Sequence, residues 1–163
     1  MIVIDSTTAV SCPPDEVFDF VAAHYIDHVA RWNPKIVEVV KLTEGPLAVG
    51  TRVREVQLIR GKRQTHVFEV TELQAPHRFA LRGLPGSDTA ETHFLAAYDI
   101  GADPADPART RLDHHLELDW QAGWFRFAPV LVRHFLRREL EASIRMLKSE
   151  VERRGRADRQ QPV

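Results

Sequence analysis

Cysteine is almost missing from this 163-residue chain, in which Cys12 stands alone. A single thiol forms no internal disulfide and no multi-thiolate metal site, a usage that fits a reducing compartment. Long apolar runs are missing as well. The longest, Phe127 to Val132, falls far short of the roughly 18 residues a spanning helix needs. The N-terminus lacks the basic-then-apolar run of a signal peptide, so the expectation is a cytoplasmic protein. Net charge is nearly absent at −1, which removes any global case for nucleic acid as a partner. There is no Gly-x-Ser-x-Gly, no glycine-rich phosphate loop and no His-Glu-x-x-His, which argues against elbow-type nucleophiles, nucleotide chemistry and a zincin site.

What is present is a chain of 44% hydrophobic and 28% charged residues, the composition of one globular domain with a single core. Its charge is unevenly placed. Residues 124–163 carry 10 Lys/Arg against 5 Asp/Glu, a basic C-terminal segment on an acidic body.

Residues 2–10 are rich in β-branched types and run into Ser11, Cys12, Pro13 and Pro14, where paired prolines end a strand and fit a first helical turn. Asp15 and Glu16 suit the positive end of that helix, and Val17, Phe18, Phe20 and Val21 give it an apolar face to about Ala23. A second helical piece, His24 to Arg31, stops before Trp32-Asn33-Pro34, because the residue preceding proline disfavours helical geometry. From Ile36 to Trp120, β-type runs alternate with turn chemistry at a spacing that predicts six further strands. The last, Thr110 to Trp120, sets Leu112, His114, Leu116, Leu118 and Trp120 on one face and Arg111, Asp113, His115, Glu117 and Asp119 on the other. After Gly123 the period changes: Val132, Leu136, Leu140, Ile144, Leu147 and Val151 recur every three or four residues and predict one long amphipathic helix. Pro129 starts or kinks it.

The expected architecture is α+β. Seven antiparallel strands curl around a long C-terminal helix, with two short helices after the first strand and a cavity between sheet and helix. Residues 1–154 form the domain and 155–163 a polar disordered tail.

This layout, and several local signatures, resemble the START-like helix-grip (SRPBCC) superfamily, in particular its polyketide cyclase/dehydrase and lipid-transport branch. The signatures are Pro13-Pro14-Asp15-Glu16-Val17-Phe18-Asp19-Phe20, Trp32-x-Pro34, Gly45-Pro46-Leu47-Ala48-Val49-Gly50-Thr51, Phe68-Glu69-Val70-Thr71-Glu72, Thr110-Arg111-Leu112 and Leu147-Lys148-x-Glu150, and the resemblance covers about residues 1–152. It implies a hydrophobic ligand held between sheet and helix, and, in a minority of members, cyclase, aromatase, dehydratase or hydrolase activity.

The residues themselves give a compatible site. His114 shares the apolar phase of its strand, while His115 points to solvent. His66 and Gln64 share a phase with Phe68 and Val70, and Tyr98 shares one with Phe94, Ala96 and Ile100. His66, Tyr98 and His114 are then polar groups on an apolar inner surface, as in a pocket that orients a ligand with a few hydrogen bonds. The expected lining is Trp32, His66, Phe68, Phe94, Tyr98, Leu112, His114, Leu116, Val132, Leu136 and Leu140, with His114, His66 and Tyr98 as the best catalytic candidates. The competing reading is that they fill a packed core. A carboxylate sharing the inner phase with a histidine would favour an enzyme; Glu72 has the phase but lies at a strand end.

His24 and His28 stand one helical turn apart without a third ligand, so no metal and no cofactor is expected and both belong to a surface face. Cys12, without a base, reads as structural. The function expected is binding or transport of a small hydrophobic or amphipathic molecule: lipid, quinone or polyketide-like. The alternatives are a cyclase/dehydratase-type enzyme and a protein-binding module. A weak contact of the basic C-terminal helix with a membrane surface is a further expectation.

Overall fold

The computed structural model describes residues 1–85, 91–120 and 129–160. The elements are β1 (Ile2–Val10), α1 (Pro14–Phe18), a π-helical turn (Asp19–Ala23), α2 (Tyr25–Trp32), β2 (Ile36–Lys41), β3 (Arg52–Ile59), β4 (Lys62–Gln74), β5 (Arg78–Gly83), β6 (Glu91–Asp103), β7 (Asp106–Trp120) and α3 (Pro129–Gln160). The strands form one antiparallel sheet in the order β1-β7-β6-β5-β4-β3-β2. Consecutive strands from β2 to β7 are neighbours, as short turns demand. The segment from α1 to α2 carries the chain from one edge strand, β1, to the other, β2. This is the α+β helix-grip arrangement expected.

Local chemistry sets the helical break. Pro14 opens α1 with Asp15 and Glu16 in its first turn, and α2 ends at Asn33, whose backbone N–H still bonds the Val29 carbonyl before Pro34. The Thr110 hydroxyl donates to the Cys12 carbonyl at 2.7 Å, fixing this junction to β7.

The core lies on the inner face. Val10, Phe68, Val70, Phe79, Leu81, Ile100 and Leu112 of the sheet meet Val17, Phe20, Val21, Tyr25, Val29 and Trp32 from the helical break and Ile144, Leu147 and Val151 from α3. The second half of α3 is the sealed one. Gly155 is buried, and a side chain there would meet the Glu16 carboxylate at 2.7 Å and the Cys12 sulfur at 2.9 Å, so a Cβ would force these side chains at the β1–α1 junction to shift. The tail expected from residue 155 is therefore helical as far as Gln160, and 161–163 lie outside the described residues. The first half of α3 is different: Val132 is buried, but Val130, Leu131 and Phe135 are exposed, and Leu136 and Leu140 are half-buried.

Candidate ligand-binding site

Alternation along β7 turns His114 inward, and register sets Tyr98 of β6 opposite it and Phe79 of β5 opposite Tyr98. The Tyr98 ring meets His114 edge-on at 4.5 Å between centroids, Trp32 edge-on at 6.2 Å, and stacks on Phe79 at 6.0 Å. All four are buried. Trp32 Nε1 and His114 Nδ1 have no hydrogen-bond partner among the described residues. Burial, reinforced by the neighbouring His115 charge and opposed by Asp5, lowers the His114 imidazole to about 4, so it is neutral at physiological pH. Burial, with the charge of Glu55, also raises the Tyr98 phenol far above its ordinary range, and it stays protonated.

A second polar cluster lies on β3 and β4. His66, buried and stacked on Phe68 at 5.8 Å, stands directly opposite Glu55, which is 2% exposed. Tyr25 of α2 donates its hydroxyl to Glu55 Oε1 at 2.5 Å, and its ring meets Phe79 at 5.3 Å, so Phe79 links the two clusters. Burial pushes the Glu55 carboxyl up from its ordinary range, against the Tyr25 hydrogen bond, the His66 ring and the Gln57 amide.

Glu55 and Tyr25 were not expected here. Strand β3 reads Val53-Arg54-Glu55-Val56-Gln57-Leu58-Ile59, whose apolar residues do not alternate, so no phase could be assigned to Glu55 from the strand alone. Pairing with β4, whose phase Phe68 and Val70 declare, is the signal that would have found it. Glu72, the acid that sequence phase pointed inward, is turned out by a bulge between Val70 and Glu72. It bonds Arg78 at 2.7 Å, which in turn bonds Asp99 at 2.6 Å.

Of the expected lining, Trp32, His66, Phe68, Tyr98, Leu112, His114 and Val132 are buried. Phe94, Leu116, Leu136 and Leu140 remain half-buried although each continues the apolar stripe of its element. Two shallow clefts are open at the surface: about 370 Å³ across β1, β5, β6 and β7 around Ser6, Arg78, Asp99, Asp113, His114 and His115, and about 230 Å³ between the α1 region and the end of α3.

His28 departs from the surface position expected. It is buried and stacks on Phe20 at 4.3 Å. Arg154 donates to its Nε2 at 3.1 Å, so Nδ1 carries the proton and donates to the Phe20 carbonyl at 3.3 Å. Burial lowers its pKa. Among the described residues no cluster of three metal-ligating side chains occurs. Cys12 is buried, and that burial raises its thiol pKa, the opposite of an activated nucleophile. No helix among the described residues is long and apolar enough to cross a membrane.

The model of a family described as polyketide cyclase / dehydrase and lipid transport matches residues 1–152. Among curated proteins nothing matches. Among solved structures, the Zhui aromatase/cyclase from Streptomyces sp. R1128 is similar at a TM-score of 0.72 and 23% identity over 96% of each chain. A START superfamily protein from Mycobacterium smegmatis is similar at 0.72 and 18%, covering 94% of this chain and 99% of its own. TTHA0849 from Thermus thermophilus reaches 0.74 at 14%, over 91% of this chain and 96% of its own. At these identities the likeness is one of fold.

Proposed function

The chain belongs to the polyketide cyclase / dehydrase and lipid transport family, and from that premise we propose that it binds one small hydrophobic or amphipathic molecule, lipid, quinone or polyketide-like, between the sheet and α3. The observation that carries this is the pair of buried polar atoms, Trp32 Nε1 and His114 Nδ1, that lack a partner and flank one tyrosine ring in an apolar interior. A buried polar group without a partner costs about 1–3 kcal/mol, which a ligand oxygen accepting from Trp32 offsets. Phe68, Phe94, Leu112, Leu116, Val132, Leu136 and Leu140 supply the apolar contact, and the partial exposure of Phe94 and Leu116 on the sheet and of Leu136 and Leu140 on α3 supports access for a ligand. Val130, Leu131 and Phe135, exposed beside Arg133, Arg137 and Arg138, suit a weak contact with an anionic membrane during loading.

A second reading, a cyclase or dehydratase, is favoured by one observation: Glu55 stands opposite His66 on the inner face, the carboxylate–histidine pairing that acid–base chemistry needs.

Two variants separate the readings. If the chain only binds, His114→Leu and His66→Leu should each change the affinity of a ligand co-purified with the chain, identified by native mass spectrometry, by no more than about tenfold. If Glu55 and His66 work as an acid–base pair, His66→Leu should lower turnover of that ligand about a hundredfold or more with affinity intact. Calorimetry and product chromatography on both variants read the difference, and we expect the binding outcome.

A further inference from the structure

Two short stretches concentrate positive charge on a chain whose net charge is −1. One is the turn from β3 into β4, Leu58 to Arg63, with Arg60, Lys62 and Arg63. The other is the start of α3, Val130 to Arg138, with Arg133, Arg137 and Arg138. Neither contains an Asp or Glu. Arg63 is paired with Glu38 and Arg137 with Glu141, whereas Arg60, Lys62, Arg133 and Arg138 have no ion pair among the described residues.

The two stretches meet at Lys35. Its carbonyl accepts from the Leu58 N–H at 2.7 Å, while its ammonium lies 5.9 Å from the centre of the Phe135 ring and pairs with Glu139. Ile59 pairs with Lys62, which leaves Arg60 and Gly61 as a two-residue turn with φ of 51° and 77°. Asparagine and glycine are the favoured residues in such a turn, so Arg60 holds its charge at the tip against its own backbone preference. Apolar side chains stand among these charges. Leu58, Leu131 and Phe135 are exposed, and Leu131, Phe135 and Arg138 follow one stripe of α3 at helical spacing.

Cations alone would suit nucleic acid or an acidic protein. Exposed aliphatic and aromatic groups interleaved with them suit an anionic bilayer, which takes the apolar groups between its headgroups while its phosphates face the cations. We propose that the β3–β4 turn is the second foot of a membrane-docking surface: Leu58, Arg60 and Lys62 act with Leu131, Phe135 and Arg138 across Lys35 to seat the chain on anionic phospholipid. This adds a second element to the contact of α3 proposed above and rests on the ligand-binding reading.

Co-sedimentation with sucrose-loaded vesicles tests it, comparing phosphatidylcholine alone with phosphatidylcholine carrying about 30% phosphatidylglycerol. The unmodified chain should bind the anionic vesicles at least about tenfold more tightly, and raising salt from about 0.1 M to about 0.5 M should remove most of that gain. Arg60→Asn with Lys62→Gln is the deciding variant: asparagine before glycine suits the turn, so the fold is kept while two charges go, as circular dichroism checks. It should weaken binding to the anionic vesicles at least about fivefold, and Leu131→Gln with Arg138→Gln should do the same. Arg153→Gln with Arg156→Gln removes as much charge roughly 22 Å or more beyond Arg138 along α3, and should stay within about twofold. Equal binding to both vesicles overturns the proposal and is the result expected of a surface made for a protein partner. An unchanged affinity in the turn variant, or an equal loss in the distant one, overturns it as well. Ligand retention is read separately by native mass spectrometry. A chain that holds ligand but ignores anionic vesicles loses this inference alone, and one that holds none loses the reading beneath it.

Discussion

His114 and His115 are consecutive residues on β7, and the sheet gives them opposite chemistry. His114, inside, has lost water without gaining a counter-charge, and its pKa falls to about 4. His115, outside, sits between Asp5 at 2.6 Å and Glu117 at 3.0 Å, and hydrogen bonds to both carboxylates raise its pKa. The same division holds across the sheet. Outer charges are paired in chains such as Glu72–Arg78–Asp99, whereas the inner carboxylate, Glu55, faces a phenol and an imidazole. One layer of backbone thus separates a surface where charge is cheap from an interior where each polar group is left to protein or ligand.

The contrast should be sharpest in packing. Leu112→Ala, at a fully buried inner position, should cost about 2–5 kcal/mol in urea unfolding, while Arg111→Ala next to it should stay within about 0.5 kcal/mol. Equal losses would show that the inner face is not the core.

The histidines should separate with pH. The folded value of His114 lies below its ordinary 6.5, so the unfolded chain takes up the proton first and stability falls as pH drops from about 6.5 towards about 4. That loss amounts to roughly 3 kcal/mol at the low end and should vanish in His114→Leu. Glu55 works in the other direction. Its folded pKa is raised, so it contributes stability at acid pH that is lost as pH climbs through that raised value. Glu55→Gln should therefore hold or gain stability at pH 7, by up to about 1 kcal/mol, and flatten that limb of the melting-temperature profile. The smallest effect belongs to the outer histidine. His115 has a raised folded pKa, so its contribution is present below pH 6.5 and fades as pH rises through the folded value. Partly exposed pairs contribute little, and His115→Ala should shift stability by less than about 1 kcal/mol at any pH.

Much of this was legible in the chain. Strict alternation from Thr110 to Trp120 placed both histidines on their proper faces, and the prolines at 13, 14 and 34 bounded the helical break. The change of period after Gly123 announced α3. What stayed hidden depended on neighbours in space. Glu55 takes its face from pairing with β4, because its own strand mixes charged and apolar residues without a period. Glu72 was misplaced because a bulge, which shifts phase by one, leaves no mark in the residues around it. His28 looked like a surface residue because helical spacing alone does not reveal that Phe20 and Arg154 close over it. Gly155 stood among charged residues that suggested a frayed end, and its use is visible only once Cys12 and Glu16 lie against it.

The close fit at Gly155 has a mechanical consequence. With Ile144, Leu147 and Val151 buried near it, α3 is clamped at its C-terminal end, while towards its start buried Val132, a half-buried ion pair of Lys35 with Glu139 and the same lysine over the Phe135 ring provide a lighter tether. A helix held this way is a cantilever. At 1.5 Å per residue, the span from Ile144 back to Pro129 is a lever of roughly 22 Å, and a rotation of about 10° at the clamp carries its tip through roughly 4 Å. A sideways displacement of that size is close to the width of a methylene chain. The buried side chains of Ile144, Leu147 and Val151 thereby set the anchored end from which the rest of the grip extends.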